Sequence, residues 1–166
     1  MLLLEKSILG EKYMRITTYK AKLCQDNLNI LVKEKAINYK QKKLDSPNSV
    51  VDMMNSLFDM KHLAEEHVYM MANDTKNKVI GVFELSHGSV KAAIISPREI
   101  YIRALLCGCV NIILCHNHPS GITTPSKEDI YVTKRIKDAG ELIGIRLNDH
   151  IIIGEDYYSF AENNLI

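Results

Sequence analysis

Apolar runs broken by polar and proline-bearing stretches predict a chain of alternating helices and strands. Residues 28–40, LNILVKEKAINYK, mix alternation with charge and read as an edge strand. Asp45-Ser46-Pro47 then predicts a helix start, with Ser46 as N-cap and Pro47 at the first helical position. Val50, Met53, Met54, Leu57, Phe58 and Leu63 follow near helical spacing, so this helix is expected over 47–64, with the two methionines as core filler. Val68 to Ala72 and Val79 to Leu85 flank the polar cluster 73–77 and predict strand, turn, strand. Pro97 opens a second helix reaching about Cys107. Val110 to Cys115 is a nearly continuous apolar run, the pattern of a strand buried on both faces. Ser126 caps a third helix to about Leu142, with Glu128 and Asp129 in the first turn, where carboxylates suit the helix dipole. Residues 144–154 supply one more strand. The order predicts an α/β or α+β domain.

Composition adds exclusions. With 46% hydrophobic and 25% charged residues, the chain is neither disordered nor fibrous nor low in complexity. Ten basic and five acidic side chains fall in residues 1–45, leaving 11 basic and 15 acidic in the rest. The run from Lys33 to Lys43 therefore reads as a solvated face, with a weak phosphate patch as the alternative. No glycine stands between Gly10 and Gly81. This divides the chain into a basic N-terminal extension, 1–45, and a domain over 46–166. The extension's edge strand could pair with a second copy, giving a homodimer. Cys24, Cys107, Cys109 and Cys115 do not form a disulfide framework, which points to a reducing, cytoplasmic compartment. Met1 to Leu4 is cut short by Glu5 and Lys6, so neither a signal segment nor a membrane span is expected.

The chemistry concentrates in His116-Asn117-His118, followed by Pro119-Ser-Gly-Ile-Thr-Thr-Pro-Ser126-Lys-Glu-Asp129, directly after the buried strand. Two histidines separated by one residue at a strand end can turn both imidazoles to one side. A carboxylate from the first turn of the next helix can close a three-ligand site with one position open, the arrangement of catalytic zinc. The letters HNH are contiguous here, unlike the dispersed nuclease motif, and no P-C-x-x-C of a zinc deaminase is present.

H-x-H, seven residues, Ser, two residues, Asp resembles the JAMM signature of the MPN-domain metalloproteases. The stretch is more specifically similar to the RadC family, through H-N-H-P-S-G, P-S-x-x-D, Pro97-Arg98-Glu99-Ile100, Asp149-His150-Ile-Ile-Ile-Gly154 and Ser159-Phe160. The resemblance covers about residues 46–166. It implies a mixed sheet flanked by helices in a JAB-like, cytidine-deaminase-like three-layer arrangement. It also implies a Zn2+ held by His116, His118 and Asp129, and an attack by water on a peptide or isopeptide bond of a protein substrate. Ser126 would donate to the developing oxyanion. Glu66 would be the general acid/base, selected over Glu65 by its distance from the turn at 73–79, with Glu84 and Glu99 as competitors. Glu99, Asp149 and His150 are candidates for orienting the ligands from behind, each with a purely structural alternative. His62, His67 and His87 read as surface or turn residues, and Cys115 as a small core residue facing away from His116.

Two other functions belong to different classes. RadC proteins carry a historical DNA-repair label, and longer members resemble a fusion with a helix-hairpin-helix module. The glycine-free span 11–80 cannot supply such a hairpin, so the chain is expected to be the RadC-type domain standing alone, with DNA a weakly supported partner. A catalytically silent metal-binding scaffold is the remaining alternative.

Overall fold

A computed structural model describes residues 13–40, 43–88 and 96–166. The apolar start at Met1 to Leu4 and part of the basic run, Gln41 and Lys42, lie outside these residues. The described chain forms seven strands and three helices: β1 (Met14–Leu23), β2 (Asn29–Tyr39), α1 (Pro47–Phe58), β3 (Glu66–Asn73), β4 (Val79–Gly88), α2 (Pro97–Cys107), β5 (Asn111–Asn117), α3 (Lys127–Ile143), β6 (Arg146–Ile153) and β7 (Tyr157–Ser159). They build one mixed sheet in the order β2-β1-β4-β3-β5-β6-β7. The β1/β2, β3/β4, β3/β5 and β6/β7 pairs are antiparallel, and β5/β6 is parallel. A single parallel bridge, Thr18 to Val82, joins β1 to β4.

Side-chain alternation splits the core between the two faces of the sheet. On one face, Met53 and Met54 of α1 pack with Tyr69, Met71, Cys115, Ile151 and Ile153. On the other, Ile100, Tyr101 and Ala104 of α2 and Ile136 of α3 pack with Val68, Met70, Ala72, Ile112 and Leu114. The result is three layers, helix on sheet on helices. Among the described residues no helix is long and apolar enough to cross a membrane.

β2 occupies the edge of the sheet, as the charged alternation of 28–40 predicts. The first helix is shorter than expected. It stops at Phe58 because Asp59 takes the left-handed conformation, φ 51°, and its N–H closes on the Asn55 carbonyl. The apolar residues beyond, including Met60, continue in a 3-10 turn over Met60–His62. β1 and β7 are additional to the predicted strands.

Gly140 inside α3 runs against helix propensity, and packing explains it. A Cβ there would lie 2.3 Å from the Ile145 carbonyl oxygen and 2.4 Å from the Tyr101 hydroxyl. That hydroxyl donates to the Ile136 carbonyl at 2.7 Å and locks α2 to α3. Gly→Ala in a helix ordinarily stabilises by about 1 kcal/mol. Here Gly140→Ala is expected to destabilise by about 1–3 kcal/mol, the cost of overpacking, read as a lower urea midpoint.

Candidate metal centre

The end of β5 delivers His116 to the α2/α3 face. Its strand neighbour Cys115 points to the α1 face, wholly buried, where desolvation raises its thiol. Cys115 is therefore no ligand to this site. His118 N–H donates to the Ile153 carbonyl at 2.9 Å, continuing the β5/β6 pairing past the strand end, so both imidazoles leave on one side. The loop then turns at Gly121, φ 79°, whose N–H returns to the His118 carbonyl. Gly154 admits this turn, since a Cβ there would stand 2.3 Å from the Gly121 carbonyl oxygen.

Asp129 arrives from the first turn of α3 through a reciprocal cap. Ser126 Oγ accepts from the Asp129 N–H at 3.0 Å, while Asp129 Oδ2 accepts from the Ser126 N–H and hydroxyl, both at 2.7 Å. In this structure the Ser126 hydroxyl proton is thus directed at Asp129. His116 Nε2 lies 3.0 Å from His118 Nε2 and 3.4 Å from Asp129 Oδ1, and His118 Nε2 lies 3.6 Å from Asp129 Oδ2. Ligands about 2.1 Å from a tetrahedral zinc stand roughly 3.4 Å apart. The two nitrogens and the two carboxylate oxygens thus stand 3.0–3.6 Å apart, close to the separations that such an ion requires.

Hydrogen bonding behind the ligands determines which nitrogens are bare. His118 Nδ1 is 2.7 Å from the Ile122 carbonyl, which only accepts, so Nδ1 carries the proton and Nε2 presents a lone pair. The same logic reaches His116 in three steps. Thr133 Oγ1 donates its proton to the Asp129 carbonyl at 2.6 Å, so its 2.6 Å contact with His150 Nδ1 must be a donation by the imidazole. Complete burial pushes His150 well below its ordinary pKa and keeps it neutral, leaving Nε2 as an acceptor. His116 Nδ1, 2.8 Å away, then donates to it, and His116 Nε2 is bare. Two imidazole lone pairs and a carboxylate converging without an intervening proton form a donor set suited to zinc.

The electrostatics differ between the two histidines. Burial lowers His116 to about 4, with His118 acting in the same direction and Asp129 opposing. Asp129, 3.6 Å from Nε2, raises His118 by favouring the imidazolium, so the bare Nε2 belongs to the neutral ring. Burial alone would raise the Asp129 carboxyl, but His118, His116 and Ser126 together hold it far below the usual carboxylate range. Glu66 begins β3 two residues before Val68, which pairs with His116. Burial raises the Glu66 carboxyl, His118 opposes this and Asp129 adds to it, so the group lies within electrostatic reach of both.

Other expected residues separate. His150 does stand behind His116, but Asp149 faces the opposite side of the sheet. There it accepts from Ser159 Oγ at 2.6 Å and from the N–H groups of His150 and Ala161 at 2.7 and 3.0 Å. Glu99 is half exposed on α2, 2.8 Å from Arg98 and 3.2 Å from Arg103, and does not join the histidines. Glu84 bonds His67 and His87 on the α1 face.

Thr133 and Asn117 are the residues that motif reasoning passed over. Thr133 sits one helical turn after Asp129, a spacing visible in the chain. Asn117, between the two histidines, accepts from the His67 N–H at 2.7 Å and donates to the Glu65 carbonyl at 3.0 Å. It thereby grips the backbone on both sides of Glu66.

A family model described as the RadC-like JAB domain matches residues 44–165. Among curated relatives, a UPF0758 protein of Clostridium novyi (strain NT) is 44% identical over 124 residues, 74% of this chain and 54% of the relative. One from Clostridium acetobutylicum is 36% identical over 159 residues, 95% of this chain and 61% of the relative. Another, from Pelobacter propionicus, is 39% identical over 125 residues, covering 75% and 54%. The chain thus spans a little over half the length of these relatives.

Proposed function

Because the chain belongs to the RadC-like JAB domain family, we propose that it is a zinc-dependent hydrolase acting on a peptide or isopeptide bond. The observation that carries this reading is the convergence of two bare imidazole nitrogens and the Asp129 carboxylate within electrostatic reach of the half-buried carboxyl of Glu66.

His116, His118 and Asp129 would hold the ion. When bound, zinc supplies Lewis acidity, which lowers the pKa of water towards about 7 and polarises a carbonyl. Glu66 takes the proton from the attacking water as the amide carbonyl is added to, and returns it to the leaving nitrogen. Its raised pKa brings the carboxyl nearer to neutrality, where taking and giving a proton are both accessible. Ser126 positions Asp129. With its hydroxyl turned outward it becomes the donor to the oxygen that gains charge, a role commonly worth about 2.7–4 kcal/mol. Thr133 and His150 fix the His116 tautomer, and Asn117 holds Glu66 in place.

Metal removal tests the reading. Dialysis against a chelator is expected to abolish cleavage of a fluorogenic peptide or isopeptide library, and stoichiometric zinc to restore it. Undiminished turnover in protein whose metal content has been measured as nil would overturn the proposal.

A further inference from the structure

We propose that His67, Glu84 and His87 form a second, surface site for a divalent transition-metal ion, on the α1 face of the sheet and separate from the centre at His116. Sequence spacing hides this cluster. In a regular strand, Glu84 and His87 are three residues apart and point to opposite faces. The β3/β4 ladder pairs Val68 with Ser86 but Tyr69 with Glu84, leaving Leu85 as an extra residue in β4. This bulge brings Glu84 and His87 onto the same face. His67 is the direct cross-strand partner of His87, and Tyr69, the partner of Glu84, is on that face too.

The three side chains then meet. Glu84 Oε1 lies 2.9 Å from His67 Nδ1 and 3.2 Å from His87 Nδ1. One ligand atom from each residue falls within 4.8 Å of the others. The two measured separations fall a little short of the roughly 3.4 Å between ligands of a tetrahedral ion bound at about 2.1 Å, a gap that small rotations of exposed side chains close. The imidazoles are stacked, with centroids 5.3 Å apart, and the His67 ring also lies 6.3 Å from that of Tyr69. The backbone N–H of His67 is fixed by Asn117 at 2.7 Å. Side-chain exposure rises from 19% at His67 through 42% at Glu84 to 63% at His87, which gives an ion access and leaves room for water to complete its coordination. Two imidazoles and one carboxylate suit zinc, nickel or copper and disfavour magnesium or calcium, which require oxygen ligands.

Glu66 and His67 are sequence neighbours whose side chains leave β3 on opposite faces, so the two sites stand back to back across one strand. An ion bridging His67 and His87 would tie β3 to β4 beside Glu66.

The test is a calorimetric titration of the chelator-treated chain with Zn2+ alone, repeated with Ni2+. The wild-type chain is expected to give a second, weaker binding event in addition to the one at His116, His118 and Asp129. The double variant His67→Ala with His87→Ala is expected to lose that event, at least tenfold in affinity, while retaining the first. Glu84→Gln guards against a folding artefact, because it keeps both imidazoles and the shape of the side chain; it should weaken the same event. Circular dichroism melts establish that each variant is folded. A weaker event that survives unchanged in folded variants, or a wild-type titration that lacks one, overturns the proposal. The weaker event is read in its own affinity range, so its presence or loss is scored whether or not the centre at His116 turns over a substrate.

Discussion

Glu66→Gln is expected to lower amide hydrolysis by about 10²–10⁴-fold while the protein retains its zinc. Glutamine matches glutamate in size but cannot accept a proton at neutral pH, so the substitution removes proton transfer and little else; such transfers commonly contribute that factor. The proposed ligand atoms belong to His116, His118 and Asp129, so metal content by elemental analysis should stay at the wild-type ratio. Loss of activity with metal intact separates a proton carrier from a ligand. A glutamine variant that turns over at the wild-type rate would remove Glu66 from the mechanism.

A second large effect is expected behind the metal. His150→Phe should weaken zinc binding about 10–100-fold, the usual cost of losing a partner that orients a ligand imidazole. The ring is retained, and with it the stack on Phe160 at 5.0 Å, but the acceptor for His116 Nδ1 is gone. His116 would keep a buried N–H without a partner, which costs about 1–3 kcal/mol, or move the proton to Nε2 and block the metal. Thr133→Val should act in the same direction more weakly, because it leaves His150 in place and frees only its choice of tautomer. Competition with a chromophoric chelator measures both. Affinity within twofold of wild type for His150→Phe would show that the chain from Thr133 does not set the ligand.

How much of this is legible in the residues varies with the range of the interaction that makes it. His116, His118 and Asp129 can be paired from spacing alone, because a strand end and a helix cap fix their directions locally. Ser126 and α3 follow from the same capping chemistry. The contribution of His150 was foreseeable as a residue type, but its pairing with Asp149 was not a reliable guide. Strand alternation sends the two to opposite faces, and only the β5/β6 register decides which one meets His116. Thr133 becomes functional only when α3 is laid over that register. The end of α1 is not legible in the spacing, because Asp59 tolerates a left-handed backbone while apolar residues continue beyond it. β1 is hard to read because only Ile16 and Thr18 of its ten residues are buried, so its pattern carries little apolar contrast. The bulge at Leu85 depends on the partner strand and leaves no mark in the spacing of Glu84 and His87.

The grip of Asn117 on β3 also bears on folding. A one-residue slip of β3 would carry Glu66 to the α1 face and His67 towards the other histidines, exchanging the chemistry of the two sides. The short carboxamide of Asn117 spans one peptide-long gap, with an acceptor for the His67 N–H and donors for the Glu65 carbonyl. In the slipped alignment these groups would no longer face one another, and buried polar atoms would lose their partners. Asn117 thus acts as a register gauge, favouring the native pairing of β3 over the slipped one.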